Sequence, residues 1–191
     1  MSAGLCHAIA VAHEVKGSFF VIARKLLRER YADREQEFVA ALSPAVRATY
    51  EDTLASQWVP EEHLQEMLGA LCSVIARGDA DRFETLLEES VKMGVHRFFT
   101  ALLSLASPAF VLRRIPVLWK LIRRGGSRVS VRPHAEGTLV CYEDFPYFDD
   151  PTYEVLTRSS IRVLLRLTGE KGIVRIERRT ATHLHILGVH G

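Results

Sequence analysis

The sequence predicts an α+β chain in which an N-terminal helical part precedes a small antiparallel sheet, arranged hairpin–helix–hairpin. Three observations carry this. Up to about residue 125, apolar residues recur every three or four positions, as one face of a helix requires. After Gly125-Gly126 the period falls to two, on either side of Pro133 to Gly137 and again from Ile173 to Val189. Between those two hairpins a single helical repeat opens at Pro151 and runs to about Thr168.

Phe19, Phe20, Ala23, Leu26 and Leu27 share one helical face, with Arg24, Lys25, Arg28 and Glu29 opposite. Phe38, Val39 and Leu42 form a short apolar set before Ser43-Pro44, where an N-cap serine and a first-turn proline start a helix reaching about Leu54. Val59-Pro60-Glu61-Glu62 repeats that start signal, with acids placed where the helix dipole favours them. Leu64, Met67, Leu68, Leu71, Cys72 and Ile75 form the stripe behind it, which ends near Gly78. Asp79 or Asp81 opens the longest helix, with Phe83, Leu87, Val91, Val95, Phe98 and Leu102 on one face, and Ser107-Pro108 stops it. Pro116 predicts a kink or restart in the next helical stretch, which ends at Arg124. Residues 1–15 read as an N-terminal segment and 16–191 as a single domain, helical over 16–125 and hairpin–helix–hairpin over 126–191.

Composition narrows the function. With 191 residues and 48% hydrophobic content, the chain can fill a core, which excludes a disordered or collagen-like molecule. The balance of 25 Lys+Arg against 23 Asp+Glu excludes a broadly polycationic nucleic-acid binder, though not a local basic patch. Cys6, Cys72 and Cys141 are too few and scattered for a disulfide framework and fit a reducing compartment. The longest uncharged stretch, Phe98 to Leu112, is broken by Ser107-Pro108, and the start lacks the basic region of a secretory signal. No membrane span is expected, and the expected location is cytoplasmic.

An ordered set of structural punctuation runs along the chain: Lys16-Gly17-Ser18, Trp58-Val59-Pro60, Gly78-Asp79, Ser107-Pro108, Pro116 to Trp119 and Gly125-Gly126. This set resembles a family of uncharacterised proteins of myxobacteria and related predatory bacteria, itself similar to haem-NO-binding and 4-vinyl-reductase-like sensor domains. The resemblance spans about Lys16 to Val189 and implies the fold more than an activity. It implies a Tyr-x-Ser-x-Arg motif for haem propionates, of which Tyr142-Glu143-Asp144-Phe145-Pro146 keeps only the tyrosine. It implies a proximal histidine on a helix, for which His96 is the nearest counterpart, and metal-binding cysteines in the last hairpin, which has none. No haem, zinc or other cofactor is expected.

Charge is segregated. Arg113 to Arg132 holds seven basic residues and no acid, and Pro133 to Glu154 holds six acids and no Lys or Arg. Arg158, Arg162 and Arg166 then form a single basic stripe at i, i+4, i+8. Such guanidinium rows, with Arg123 and Arg124, suit phosphates, carboxylates or an acidic partner, or else pair with the chain's own acidic loop. The loop Tyr142 to Asp150, with Phe145, Tyr147, Phe148 and Asp149, reads either as a recognition surface or as a cover for the core. His183, His185 and Glu177 are weak metal-ligand candidates among neighbouring arginines. No P-loop, dinucleotide fingerprint, nucleophile elbow, His-Glu-x-x-His or Cys-x-x-Cys is present.

The expected function is therefore a non-catalytic regulatory or signalling module that acts by protein–protein interaction, with a protein partner and a homodimer both compatible. Nucleic acid is not expected, because the stacking platform of single-strand binders is not evident. The alternative is a small-molecule sensor with an internal pocket between the long helix and the sheet, open to a small apolar ligand. A metal-assisted enzyme is the third reading.

Overall fold

The computed structural model describes residues 12–95 and 106–191. The described helices are α1 (Ser18–Arg30), α2 (Glu35–Ala40), α3 (Pro44–Asp52), α4 (Glu61–Ala70), α5 (Ala80–Val95), α6 (Pro108–Arg113), α7 (Ile115–Ile122) and α8 (Pro151–Leu167). The strands are β1 (Glu14–Lys16), β2 (Trp58–Pro60), β3 (Arg123–Arg124), β4 (Arg128–His134), β5 (Gly137–Glu143), β6 (Ile173–Arg179) and β7 (Leu184–Val189). The α+β prediction and its hairpin–helix–hairpin ending hold. His96, Phe98 and Leu102 fall outside the described residues, and α5 is described to Val95.

The helix starts follow local chemistry. Ser107 accepts a hydrogen bond from the Phe110 amide at the head of α6. Asp150 accepts from the Thr152 amide at the head of α8, where Pro151 occupies a position that needs no amide hydrogen. Pro116 brings the restart that its position predicts: α6 ends at Arg113 and α7 begins at Ile115. The apolar stripes become the core. Phe20, Leu26 and Leu27 of α1, Phe38, Val46 and Tyr50, and Leu64, Met67 and Leu68 of α4 are all buried.

Two antiparallel sheets form. The larger has the order β4-β5-β7-β6 and carries α8 across one face. A bulge between Ile176 and Arg178 takes Glu177 out of the ladder. The smaller sheet, β2-β1-β3, did not emerge from the sequence: its strands have two or three residues each, too few for alternation to show. In it Val15 lies opposite both Val59 and Arg123, so the N-terminal strand is wedged between the head of α4 and the end of α7.

Helix α8 lies between α5 and the four-stranded sheet and packs on both. Where the sequence places an internal pocket between long helix and sheet, the described part of α5 meets α8. Its contact with α5 is the basic stripe: Arg158 reaches Glu84 at 3.0 Å, Arg162 reaches Glu84 at 2.6 Å and Glu88 at 3.1 Å, and Arg166 reaches Glu88 at 2.5 Å.

At the turn between β4 and β5, Gly137 has φ +148, and a Cβ there would run into the Gly188 carbonyl of the neighbouring strand. Gly137→Ala is expected to lower stability by about 1–3 kcal/mol in urea unfolding. Gly126→Ala, where a Cβ meets open space, should leave the midpoint unchanged within about 0.5 kcal/mol.

Candidate functional site

Where the two halves meet, a charge pair is sealed inside aromatic rings. Glu61, the first residue of α4, is fully buried, and Arg123, the first residue of β3, is 7% exposed. Arg123 Nε donates to Glu61 Oε1 at 3.2 Å. The Tyr153 hydroxyl, from the first turn of α8, lies 3.0 Å from the same oxygen and 3.1 Å from the Glu61 carbonyl. The guanidinium sits over the rings of Trp119 (4.3 Å), Phe19 (5.1 Å) and Phe145 (5.6 Å). Such a cage compensates a desolvated cation through the negative faces of the rings. Phe145 contacts Trp119, Phe148, Tyr147 and Tyr153 edge-on or tilted, and Tyr142 packs between Trp119 and Phe148. Two buried polar atoms beside this cluster, Glu61 Oε2 and His13 Nδ1, have no hydrogen-bond partner among the described residues. The phenols of Tyr142 and Tyr153 are held well above their usual pKa by burial, with Glu61 adding to the effect at Tyr153.

Directly outside lies an open depression of about 560 Å³, lined by Glu62, Gln65, Pro146, Tyr147, Asp149 and Asp150. Tyr147 donates its hydroxyl to Glu62 at 2.5 Å, and Gln65 donates to Asp150 at 3.1 Å. These bonds tie the Phe145–Asp150 loop to α4. Glu62 faces the depression while Glu61, its neighbour, faces the caged arginine, so one helical turn joins surface to interior.

The structure redistributes the residues that the sequence singles out. Arg158 and Arg162 are half-buried and Arg166 is exposed, and all three are paired with the chain's own Glu84, Glu88 and Glu154, because α5 brings its acids alongside α8. They clamp two helices and offer no open face to a partner. Arg123 is interior, and Arg124 stacks on Trp58 at 4.0 Å with Glu14 at 3.8 Å. Of the recognition loop, Tyr142, Phe145 and Phe148 are buried, whereas Tyr147 and Asp149 line the depression. Only its outer edge can meet a ligand. Glu61 was missed as a functional residue because a helix start accounts for both acids of the Glu61-Glu62 pair.

The metal candidates do not converge. His185 lies opposite Arg178 and Cys141, His183 Nδ1 is 2.8 Å from Thr182 Oγ1, and Glu177 accepts from Arg175. Among the described residues no group of three or more His, Cys, Asp or Glu is placed to hold a metal ion.

No family model matches the sequence, and no curated protein matches it. Solved structures do match. An Fe(II) unliganded H-NOX protein from K. algicida superposes with a TM-score of 0.66 at 11% identity, over 92% of this chain and 97% of that one. An oxygen-binding H-NOX domain related to soluble guanylate cyclases superposes with a TM-score of 0.60 at 13% identity, over 90% of this chain and 92% of that one. A Cs H-NOX mutant carrying the unnatural amino acid 4-cyano-L-phenylalanine superposes with a TM-score of 0.60 at 14% identity, over 90% of this chain and 94% of that one. The chain thus has the H-NOX fold along nearly its whole length. The protein-interaction module expected from the arginine stripe and loop is corrected on two grounds. The arginines of its stripe are paired with the chain's own acids and most of its loop aromatics are buried, and the fold is that of H-NOX domains.

The described residues do not fit a haem. At the propionate position implied by the resemblance, Tyr142 is buried between rings, Asp144 is an anion bound to Arg128 at 2.8 Å, and Pro146 has no donor. Two propionates would meet a carboxylate and aromatic faces in place of hydroxyl and guanidinium donors. His13 is packed edge-on against Phe145 and Tyr147. His96 lies outside the described residues.

Two outcomes follow. Arg123→Met leaves Glu61 as an uncompensated buried charge and is expected to cost about 3–5 kcal/mol in urea unfolding, with Arg123→Met/Glu61→Gln recovering most of it. His185 has its pKa lowered, first by burial and then by Arg178, so the fold favours the neutral ring. The unfolded chain then binds more protons as pH falls below the ordinary value of 6.5, and stability present above that pH declines below it. His185→Gln should flatten the slope of unfolding free energy against pH below 6.5.

Proposed function

We propose that this chain is a non-catalytic sensor domain that uses the H-NOX fold without haem and reads a small polar molecule in the depression between α4 and the Phe145–Asp150 loop. The observation that carries this reading is the position of that depression. It lies at the junction of helical and sheet-bearing halves, one residue along α4 from the caged Arg123–Glu61 pair. The whole-length likeness to H-NOX domains, one of them oxygen-binding, supports a sensory role over an interaction-only one. The lining favours a particular chemistry. Three of its six residues are carboxylates, none is cationic, and Tyr147 supplies an aromatic wall, which suits a positively charged or donor-rich molecule rather than an apolar one.

A ligand that competes for Glu62 releases the Tyr147 hydroxyl, and the loop is then free to shift on the Phe145 and Phe148 anchors. Because Phe145 is part of the cage around Arg123, the shift reaches the contact between the halves. Such coupling needs only that the ligand prefer one of two loop positions.

Native mass spectrometry and absorption spectra of the purified protein, before and after incubation with hemin, test the haem-free part: the expected result is apo mass and no Soret band. A thermal-shift screen of amines and other donor-rich metabolites tests the ligand class. A hit should raise the midpoint in the wild type, and Tyr147→Phe together with Glu62→Gln should reduce that shift at least fivefold. Stoichiometric haem uptake, or hits confined to apolar compounds and insensitive to both variants, would overturn the reading.

A further inference from the structure

Helices α6 and α7 expose an outer ridge that the proposed sensor site leaves unused. Phe110 is 51% exposed, Val117 53% and Leu121 60%, three of the five large apolar side chains left exposed among the described residues. Val117 and Leu121 stand at i, i+4 on the outer side of α7 and Phe110 is exposed on α6, while Val111, Leu112, Ile115 and Trp119 are buried. The intervening outward positions are Arg113, Arg114 and Lys120, all exposed and with no carboxylate partner among the described residues. The Arg114 guanidinium lies over the Phe110 ring, 4.9 Å from its centroid, so cation and apolar tip share one patch. At the far end Arg124 carries the stripe on to Trp58, and the acid there is Glu14, 3.8 Å from Arg124.

We propose that this ridge docks the protein on an anionic lipid surface, with the apolar tips entering the headgroup boundary and the cations meeting lipid phosphates. Charge complementarity selects this occupant. Arg113, Arg114 and Lys120 are the ridge's exposed cations and α6 and α7 contain no acid, so a second copy applied to the same face would set cation against cation. The composition agrees, since exposed apolar tips and exposed cations are interspersed along α6 and α7, as in helices that lie in a membrane interface. No helix among the described residues is long and apolar enough to cross a membrane, so the mode is peripheral.

Flotation of the full chain with vesicles tests this. Vesicles containing phosphatidylglycerol should carry the protein up at low salt and release it as salt rises, and vesicles of phosphatidylcholine alone should not. Each basic residue near such a surface is worth about fivefold in partitioning, so Arg113→Glu/Lys120→Glu should lower binding at least tenfold. Val117→Ser/Leu121→Ser should lower it about fivefold or more at unchanged charge. All four positions are exposed, so unchanged circular dichroism and melting confirm that the variants fold. Absence of binding to phosphatidylglycerol vesicles at low salt, or equal binding by wild type and both variants, overturns the proposal. So does a dimer in sedimentation equilibrium that Leu121→Ser dissolves without any vesicle binding, which would reassign the ridge to a protein contact.

Discussion

The structure turns on the ion pair between Glu61 and Arg123. A carboxylate and a guanidinium removed from water each carry a desolvation penalty of several kcal/mol, which their attraction offsets only when geometry and neighbours are favourable. Here the neighbours come from every part of the chain. Phe19 belongs to the first helix, Trp119 to the seventh, Phe145 to the loop after the first hairpin, and Tyr153 to the helix across the sheet. The pair cannot form unless all of these are in place. It therefore ties the correct arrangement of the two halves to one interaction, at the expense of an unpartnered Glu61 oxygen.

A second electrostatic device works on a different principle. Arg158, Arg162 and Arg166 interleave with Glu84 and Glu88 along the side of two helices; only the Arg166 end is exposed, so that contact is the most screened and the others are partly shielded by the buried Glu88. Glu88 serves two arginines and Glu84 serves two. Because both rows repeat every four residues, a one-turn slip of α5 along α8 would keep one glutamate bridged and strip the other of its partners. Shielded hub and half-buried ladder thus divide the work, the first setting which elements meet and the second favouring one register over its one-turn neighbours.

How much of this the sequence reveals depends on range. Periodicity located the helices and both hairpins, since a stripe such as Leu64, Met67, Leu68 and Leu71 reports its own burial. Ser43-Pro44 and Pro151 located helix starts because a first-turn proline is a local signal. The hub was illegible for the opposite reason. Glu61 looks like any first-turn acid and Arg123 like any member of a basic run, and only the β1–β3 pairing brings them together. The arginine stripe was legible as a stripe, but its partners lie about seventy residues earlier, on a helix whose acids look like an ordinary solvated face. Side-chain type and spacing reveal that a charge must be satisfied, not by whom.

The short strand Glu14–Lys16 carries a consequence for how the molecule assembles. Val15 sits between Val59 and Arg123, so this strand joins segments that are far apart along the chain. The helices and the two hairpins rest on near-neighbour contacts and can gain structure early, whereas closing that three-stranded seam requires long-loop closure and is slow by nature. The cage around Arg123 thus carries a large loop-closure cost, since it joins Phe19, Glu61, Trp119, Phe145 and Tyr153. By the same logic the seam is the first place to part under mild denaturation, so amide protons of Val15 and Arg123 report the loosening of the two halves before the core itself opens.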